Sequence, residues 1–359
     1  MLTAGTRLIG IDASRGIALI GMMAIHILPA RDADQTTSLA YQIASGRASA
    51  LFAVVAGIGL ALANGRQIPP SGPALRAARW GVLARVPLLA IFGLILGELD
   101  SGVAVILVNY SLLFLFATIG LGWESRRLFV VAAIWVVVVP VGSHFLRGVL
   151  PPSTFLQPSF SALGQPIELT RELLLTGYYP VLPWLGYIWT GLAIGRLDLQ
   201  SRVVATRVAL IGTALAVSSV VASRLIVGQP PEELPTQFFG VTPTDELWYL
   251  AVVTPHSATP LDLIHTIGTS LVVVGLTLLV RRGLGWIAAA GAMTLTLYTI
   301  HVLALATGAG RDDRPLLLII HALIALLFGL IWSALIGRGP LEQLLARTSA
   351  VARDAATLG

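Results

Sequence analysis

Ten stretches, each close to twenty residues long and almost free of charge, leave this chain one way to fold. They run approximately over 11–30, 46–64, 75–97, 103–122, 128–146, 178–195, 203–226, 262–280, 285–307 and 315–337. A bilayer's hydrocarbon is crossed by ~20 predominantly apolar residues of helix. Only 11% of the 359 residues are charged and 56% are hydrophobic, whereas soluble domains carry about 25% charged residues. A soluble enzyme is excluded. The expected fold is all-α, a polytopic membrane bundle of about ten transmembrane helices, with residues 1–359 forming a single transmembrane domain. Arg7 followed by the apolar stretch 17–28 resembles a signal peptide, but Arg15 and His26 interrupt the pattern and no small-x-small cleavage site follows. The segment is therefore expected to be the first span.

All 23 cationic residues are Arg. An even number of spans puts both termini on one side. With helix-end residues assigned to the nearer side, the termini and the loops on their side hold 16 of the 23 Arg and 5 of the 18 acids, while the opposite loops hold 7 and 13. Cationic residues accumulate in cytoplasmic loops, so both termini and the Arg281–Arg282 loop are expected in the cytoplasm. The net charge of +5 then marks loops rather than a nucleic-acid partner. Cysteine is absent, which removes disulfides, thiolate metal sites and covalent cysteine chemistry. The lack of an internal repeat counts against the repeat-built transporters.

Ala53, Gly57, Ala61 and Gly65, like Gly191 and Gly195, recur every four residues, a spacing that lets helix backbones approach. Tyr178, Tyr179, Trp184 and Tyr187 open the sixth span, where aromatic rings anchor at a membrane interface. The outer loop 227–261 carries Glu232, Glu233, Asp245, Glu246, Trp248 and Tyr249. It reads either as a solvated loop or as a cap over a polar site.

Ionisable groups inside spans are costly unless paired or hydrated, which makes each a candidate for function. Arg15 and His26 are eleven residues apart in the first span. At ~100° and 1.5 Å per residue they share one helix face, about 16.5 Å apart. Asp12 can pair with Arg15 at i, i+3, and His26 can equally be a hydrogen-bonded bridge between helices. His144, His265, His301 and His321 all fall in the outer half of their spans, and His256 lies in an outer loop. Thr294, Tyr298 and His301 form a polar stripe on one helix face. No HExxH or paired-carboxylate pattern marks a metal site, and none is expected. On the inner side Arg76 and Arg79 share a face near Arg85. They serve either as positive-inside signals or as a socket for a polyanionic cofactor, since guanidinium makes bidentate contacts to phosphate.

The string RLIGIDASRGIALIGMMAIH (7–26) resembles the opening of a membrane acyltransferase superfamily. That superfamily includes the YeiB-like proteins, heparan-alpha-glucosaminide N-acetyltransferase and the bacterial acyltransferase-three family. The Arg-Gly followed by His eleven residues after the Arg is most similar to the last group, where the His is the catalytic candidate. In the heparan-type enzymes the position of His26 looks like Asn. GRASALFAVVAGIGLALA (46–63), VILVNY (105–110), GYYPVLPWLGYIWTGLAIGRLDL (177–199) and GAMTLTLYTIHVL (291–303) resemble the YeiB-like branch, which often has Asp where this chain has Val105. Arg76 and Arg79 resemble an arginine pair associated with the acyl donor.

The resemblance implies a ten-helix enzyme of the cytoplasmic membrane. It would move an acyl group, acetyl by preference, from cytoplasmic acyl-CoA to a hydroxyl or amine of an extracytoplasmic glycan or glycolipid. His26 is then the expected general base or acyl carrier. His301 orients it, and Arg15 stabilises donor anions or the oxyanion. Two alternatives stay open from the sequence. One is a proton-coupled transporter or flippase for a lipid-linked or anionic solute, the other an inactive acyltransferase-like scaffold.

Overall fold

A computed structural model describes residues 7–229, 233–280 and 282–358; Glu232 and Arg281 of the sequence reading lie outside them. The described residues form fifteen α-helices and no strand. They are α1 (Ile9–Ile27), α2 (Leu39–Ala44), α3 (Arg47–Ala63), α4 (Gly72–Leu83), α5 (Val86–Gly97), α6 (Leu107–Gly120), α7 (Ser125–Arg147), α8 (Pro166–Arg171), α9 (Val181–Gly195), α10 (Arg202–Val227), α11 (Pro260–Leu279), α12 (Gly285–Gly291), α13 (Thr294–Ala306), α14 (Arg314–Leu335) and α15 (Pro340–Leu358).

Helix starts follow local chemistry. Thr259 accepts from the Asp262 amide ahead of Pro260, and Asp313 accepts from Leu316 ahead of Pro315. Each oxygen satisfies a first-turn donor that has no partner within its helix. The break between α4 and α5 sits just before Pro87, which cannot donate and crowds the preceding turn.

Seven helical segments among the described residues are long and apolar enough to cross a membrane: α1, α2 with α3, α4 with α5, α7, α10, α11 and α14. Three of the ten expected spans take another form. The segments at 103–122 and 178–195 become the shorter α6 and α9, and 285–307 becomes α12 and α13, bent by 75° at their junction. The helices divide into an inner and an outer set. Two thirds of the apolar window of α11 is buried but only 11% of that of α14, and Ile319, Ile320, Leu323, Ile324, Leu327 and Ile331 stand exposed along α14. A continuous apolar face of this kind needs lipid around it, so the protein is a multi-pass membrane protein.

Close approach of backbones organises the inner set. A Cβ at Gly57 would overlap the Ile188 carbonyl, and one at Gly191 the Val54 carbonyl, so α3 and α9 cross at the expected small residues. Gly65 does not belong to that seam. It lies beyond α3 with φ of +91°, making the turn into the next segment, and so corrects the packing role expected from its spacing.

Candidate functional site

Helix α1 connects two cavities. At its N-terminal end, a cavity of about 560 Å³ is lined by Arg7, Arg15, Arg66, Arg85 and Arg338, opposed by Asp12 and Glu342. Arg15 Nη1 donates to Asp12 Oδ1 at 2.9 Å and Arg7 Nε donates to Asp12 Oδ2 at 2.5 Å. The pairing expected between Asp12 and Arg15 is therefore present, and Arg15 also faces the cavity. Gly59 makes room for it, since a Cβ there would meet Arg15 Nη2 at 2.5 Å. Five guanidinium groups against two carboxylates suit a polyanion such as a phosphate ester.

Arg76 and Arg79 stand apart from this cavity's lining. Arg76 Nε donates to the Ala356 carbonyl and Arg79 Nε to the Thr118 carbonyl, so the two side chains reach different neighbours, α15 and α6. The amphipathic α15 lies along α4, where Arg353 donates to Asn64 Oδ1 at 2.9 Å and Ser349 Oγ to the Gly81 carbonyl at 2.5 Å. Its Glu342 accepts from the amides of Leu295 and Thr296 and from Thr296 Oγ1. A carboxylate from α15 thus caps α13 just past the bend. No sequence pattern links Glu342 to residues nearly fifty positions earlier.

At the other end of α1, His26 lines a cavity of about 380 Å³ together with Tyr41, Tyr178, Tyr179, Gln237, His256 and Arg314. An adjoining cavity of about 490 Å³, lined in part by Val105, Asn109, Phe155 and Glu172, shares the wall formed by Tyr178, Tyr179 and Phe239. His26 Nδ1 lies 3.1 Å from His301 Nε2, the two rings stacked at 5.3 Å. His301 Nδ1 lies 2.8 Å from His321 Nδ1. The Thr294, Tyr298 and His301 stripe faces protein, all three residues being buried.

The remaining histidines separate by environment. His265 Nε2 accepts from Arg47 Nε at 3.2 Å while its Nδ1 contacts the Ala216 carbonyl at 3.1 Å, a structural bridge. His144 is buried on α7 beside Phe145. His256 joins the His26 cavity from a loop, packed 4.7 Å from the Tyr178 ring. Burial pushes its imidazole well below the ordinary value, to about 3, and a charge on His26 acts in the same direction.

Two expectations for the outer segments change. Tyr179, Trp184 and Tyr187 are buried, in an edge-to-face series with Tyr178 that ends on the Tyr187 hydroxyl and Thr266 Oγ1, 2.7 Å apart. Tyr178 and Tyr179 form cavity wall and Trp184 and Tyr187 pack behind them in the protein interior, rather than anchoring at a lipid interface, because α9 is an inner helix. In the loop before α11, Glu233 is exposed beside Arg31, and Asp245 and Glu246 are exposed too. The loop reaches the cavities through Gln237, Phe239 and His256 instead. Among the described residues no group of three or more His, Cys, Asp or Glu is arranged to hold a metal ion.

Residues 7–224 match the family model described as heparan-alpha-glucosaminide N-acetyltransferase, catalytic. The matched stretch contains Arg15, His26, Arg76 and Arg79 and ends within α10, ahead of His256, His301 and His321. No curated protein matches the chain.

Proposed function

We propose that this chain, which belongs to the heparan-alpha-glucosaminide N-acetyltransferase catalytic family, transfers an acyl group, acetyl by preference, across the cytoplasmic membrane. The donor is cytoplasmic acyl-CoA and the acceptor a hydroxyl or amine of an extracytoplasmic glycan or glycolipid. On this reading α6, α9 and the bent α12–α13 pair cross together with the seven longer segments, and the excess of arginine on the side of the termini supports a cytoplasmic location for both termini and α15.

One observation carries this reading. A single helix sets Arg15 in an arginine-lined cavity at one end and His26 in an aromatic, largely neutral cavity at the other. The first cavity offers charge-assisted bonds to the phosphates of coenzyme A. Arg15, held by Asp12 at the other end of α1 from His26, is placed to stabilise the anionic groups of the donor. Arg76 and Arg79, exposed beside this cavity, meet the donor as it approaches, and Arg7, Arg66, Arg85 and Arg338 meet it inside. In the second cavity His26 Nε2 is free, because Nδ1 is engaged by His301. A neutral imidazole so held takes the acceptor's proton as that atom attacks the acyl carbon. The rings of Tyr178, Tyr179 and Phe239 supply flat apolar faces of the kind sugars stack on.

The test is labelled acetyl-CoA supplied to inverted membrane vesicles, followed by extraction of labelled envelope products. Label should enter a glycan or glycolipid only when the donor is on the cytoplasmic face. Proton-driven solute flux that is independent of coenzyme A would replace this reading with that of a transporter.

A further inference from the structure

The loop that carries His256 is held in a conformation its residues resist. His256 and Ala258 both have left-handed backbone, with φ of +58° and +51°, which crowds a Cβ against the following carbonyl. Such strain persists only where the surrounding structure over-determines it, and it collects at functional sites. Hydrogen bonds on both sides of His256 impose it here. The amides of Phe238 and Gly240 donate to the Pro255 and His256 carbonyls, both at 2.9 Å. Thr259 Oγ1 donates to the Val252 carbonyl at 2.6 Å, and Asp262 Oδ2 accepts from the Ala258 amide at 3.1 Å. Gly46 lets the loop approach the start of α3, since a Cβ there would stand 3.3 Å from the His256 amide nitrogen.

What the strain delivers is a second imidazole in the wall of the His26 cavity. It is not partnered as a structural histidine is. His265 uses both ring nitrogens, one on Arg47 and the other on the Ala216 carbonyl. The His256 ring makes no hydrogen bond to the described residues, and its Nδ1 is closed off from solvent. Nε2 is then the nitrogen able to meet a molecule in the cavity. A neutral imidazole has one N–H and one bare nitrogen, and a buried donor without a partner is rarer than a buried acceptor without one. The hydrogen therefore belongs on Nε2. No carboxylate is among the described residues lining the cavity, so neither ring gains from taking a charge. His256 offers a neutral donor where His26 offers a bare nitrogen.

We propose that His256 selects the acceptor, its Nε2–H donating to a sugar hydroxyl next to the group that His26 activates. The inference rests on the acyltransferase reading of the site. His26 meets the reacting amine or hydroxyl, and His256 holds the oxygen on an adjacent carbon, so the acceptor is fixed at two points. Tyr41, Gln237 and Arg314 line the same cavity beside the rings of Tyr178 and Tyr179, a few polar groups among aromatic faces that suit a ring bearing several hydroxyls. An amine or alcohol without an adjacent hydroxyl fits the base but leaves the His256 donor unpaired, which lowers its affinity. The acceptor class is therefore an amino sugar or a sugar with vicinal hydroxyls, not a simple amine or alcohol. His256 lies beyond residues 7–224, the stretch that matches the family model, so this selection is made by a part of the chain outside that match.

The full-length protein in lipid nanodiscs, labelled with ¹⁵N-histidine, tests the contact without turnover. The imidazole signal missing from His256→Asn identifies His256, and in the wild-type protein it should shift when glucosamine is added but not when cyclohexylamine, a ring amine without hydroxyls, replaces it. Acetyl transfer from acetyl-CoA to the same two amines supplies the second arm. Asn tolerates left-handed backbone and so keeps the loop, but its short amide does not reach the position of Nε2. In His256→Asn, kcat/KM for glucosamine should fall ~3–10-fold relative to that for cyclohexylamine, the scale of one neutral hydrogen bond, with KM for acetyl-CoA unchanged. Equal losses with both amines, or a His256 signal unmoved by glucosamine in a protein that acetylates it, overturns the assignment. A signal shifted by glucosamine in a protein that transfers no acetyl group supports the sugar contact and defeats the acyltransferase reading. Neither shift nor transfer overturns both.

Discussion

Replacing Glu342 removes the carboxylate that α15 lays on the start of α13. Oε1 accepts from the Leu295 and Thr296 amides at 2.7 and 3.1 Å, and Oε2 accepts from Thr296 Oγ1 at 2.7 Å. These amides lie in the first turn, where donors lack partners within the helix, and Met293 before them offers no side-chain cap. Hydrogen bonds to a charged group contribute ~1.5–3 kcal/mol each, which would make three of them the dominant restraint at the bend. Glu342 is only half-buried and borders a cavity, so water replaces most of what is lost. The net cost of Glu342→Ala then reduces to roughly one such bond plus ~0.3–1 kcal/mol of helix-dipole interaction, about 2–4 kcal/mol. Glu342→Gln keeps one acceptor oxygen and loses the charge, for about 1–2 kcal/mol. Equilibrium unfolding in mixed micelles reads both values. An Ala variant within ~0.5 kcal/mol of wild type, or a Gln variant less stable than Ala, refutes the reasoning that a charged cap holds the bend.

Substitutions at His26 separate base from bridge. If His26 takes the acceptor's proton, Gln and Leu both lose at least ~100-fold in acetyl transfer; as a bridge alone, Gln would stay active and Leu would express poorly, which turnover measured against folded yield resolves. Activity in His26→Asn together with a dead His301→Gln would move the base to α13. For His256, the depressed value near 3 means that the folded protein binds fewer protons than the unfolded chain between about pH 6.5 and 3. Its contribution is therefore present above 6.5 and lost as pH falls through that window, by up to ~1.4 kcal/mol per pH unit. His256→Asn, which suits the left-handed backbone there (φ +58°), should flatten acid destabilisation by that slope in pH-dependent unfolding curves. Gly191→Ala should separate α3 from α9 and cost about 1–3 kcal/mol, with unfolding unchanged by the substitution arguing that the helices do not cross there.

The sequence by itself determined the solvent and the class of fold. Scarcity of charge and the length of the apolar stretches require helices in lipid whatever their partners, because backbone groups in hydrocarbon must be satisfied within the helix or a closed barrel. It also determined what a single helix can encode: Arg15 and His26 at the two ends of α1, and the stripe of Thr294, Tyr298 and His301 on α13, since a fixed angle per residue carries position into direction. Tertiary structure alone decided which helices meet. Apolar composition is satisfied equally by lipid and by a neighbouring helix, so nothing in residues 178–187 distinguishes a ring at the membrane interface from one in a cavity wall. Cations recruited from Arg7, Arg15, Arg66, Arg85 and Arg338 converge only when α1, the turn after α3, the junction of α4 with α5 and the start of α15 are brought together. His321 joins His301 across twenty residues, and His26 joins His301 across 275, separations with no periodicity to reveal them. Glu342 is a carboxylate that local sequence assigns to an ordinary surface helix and that packing turns into the cap of the helix after the α12 bend.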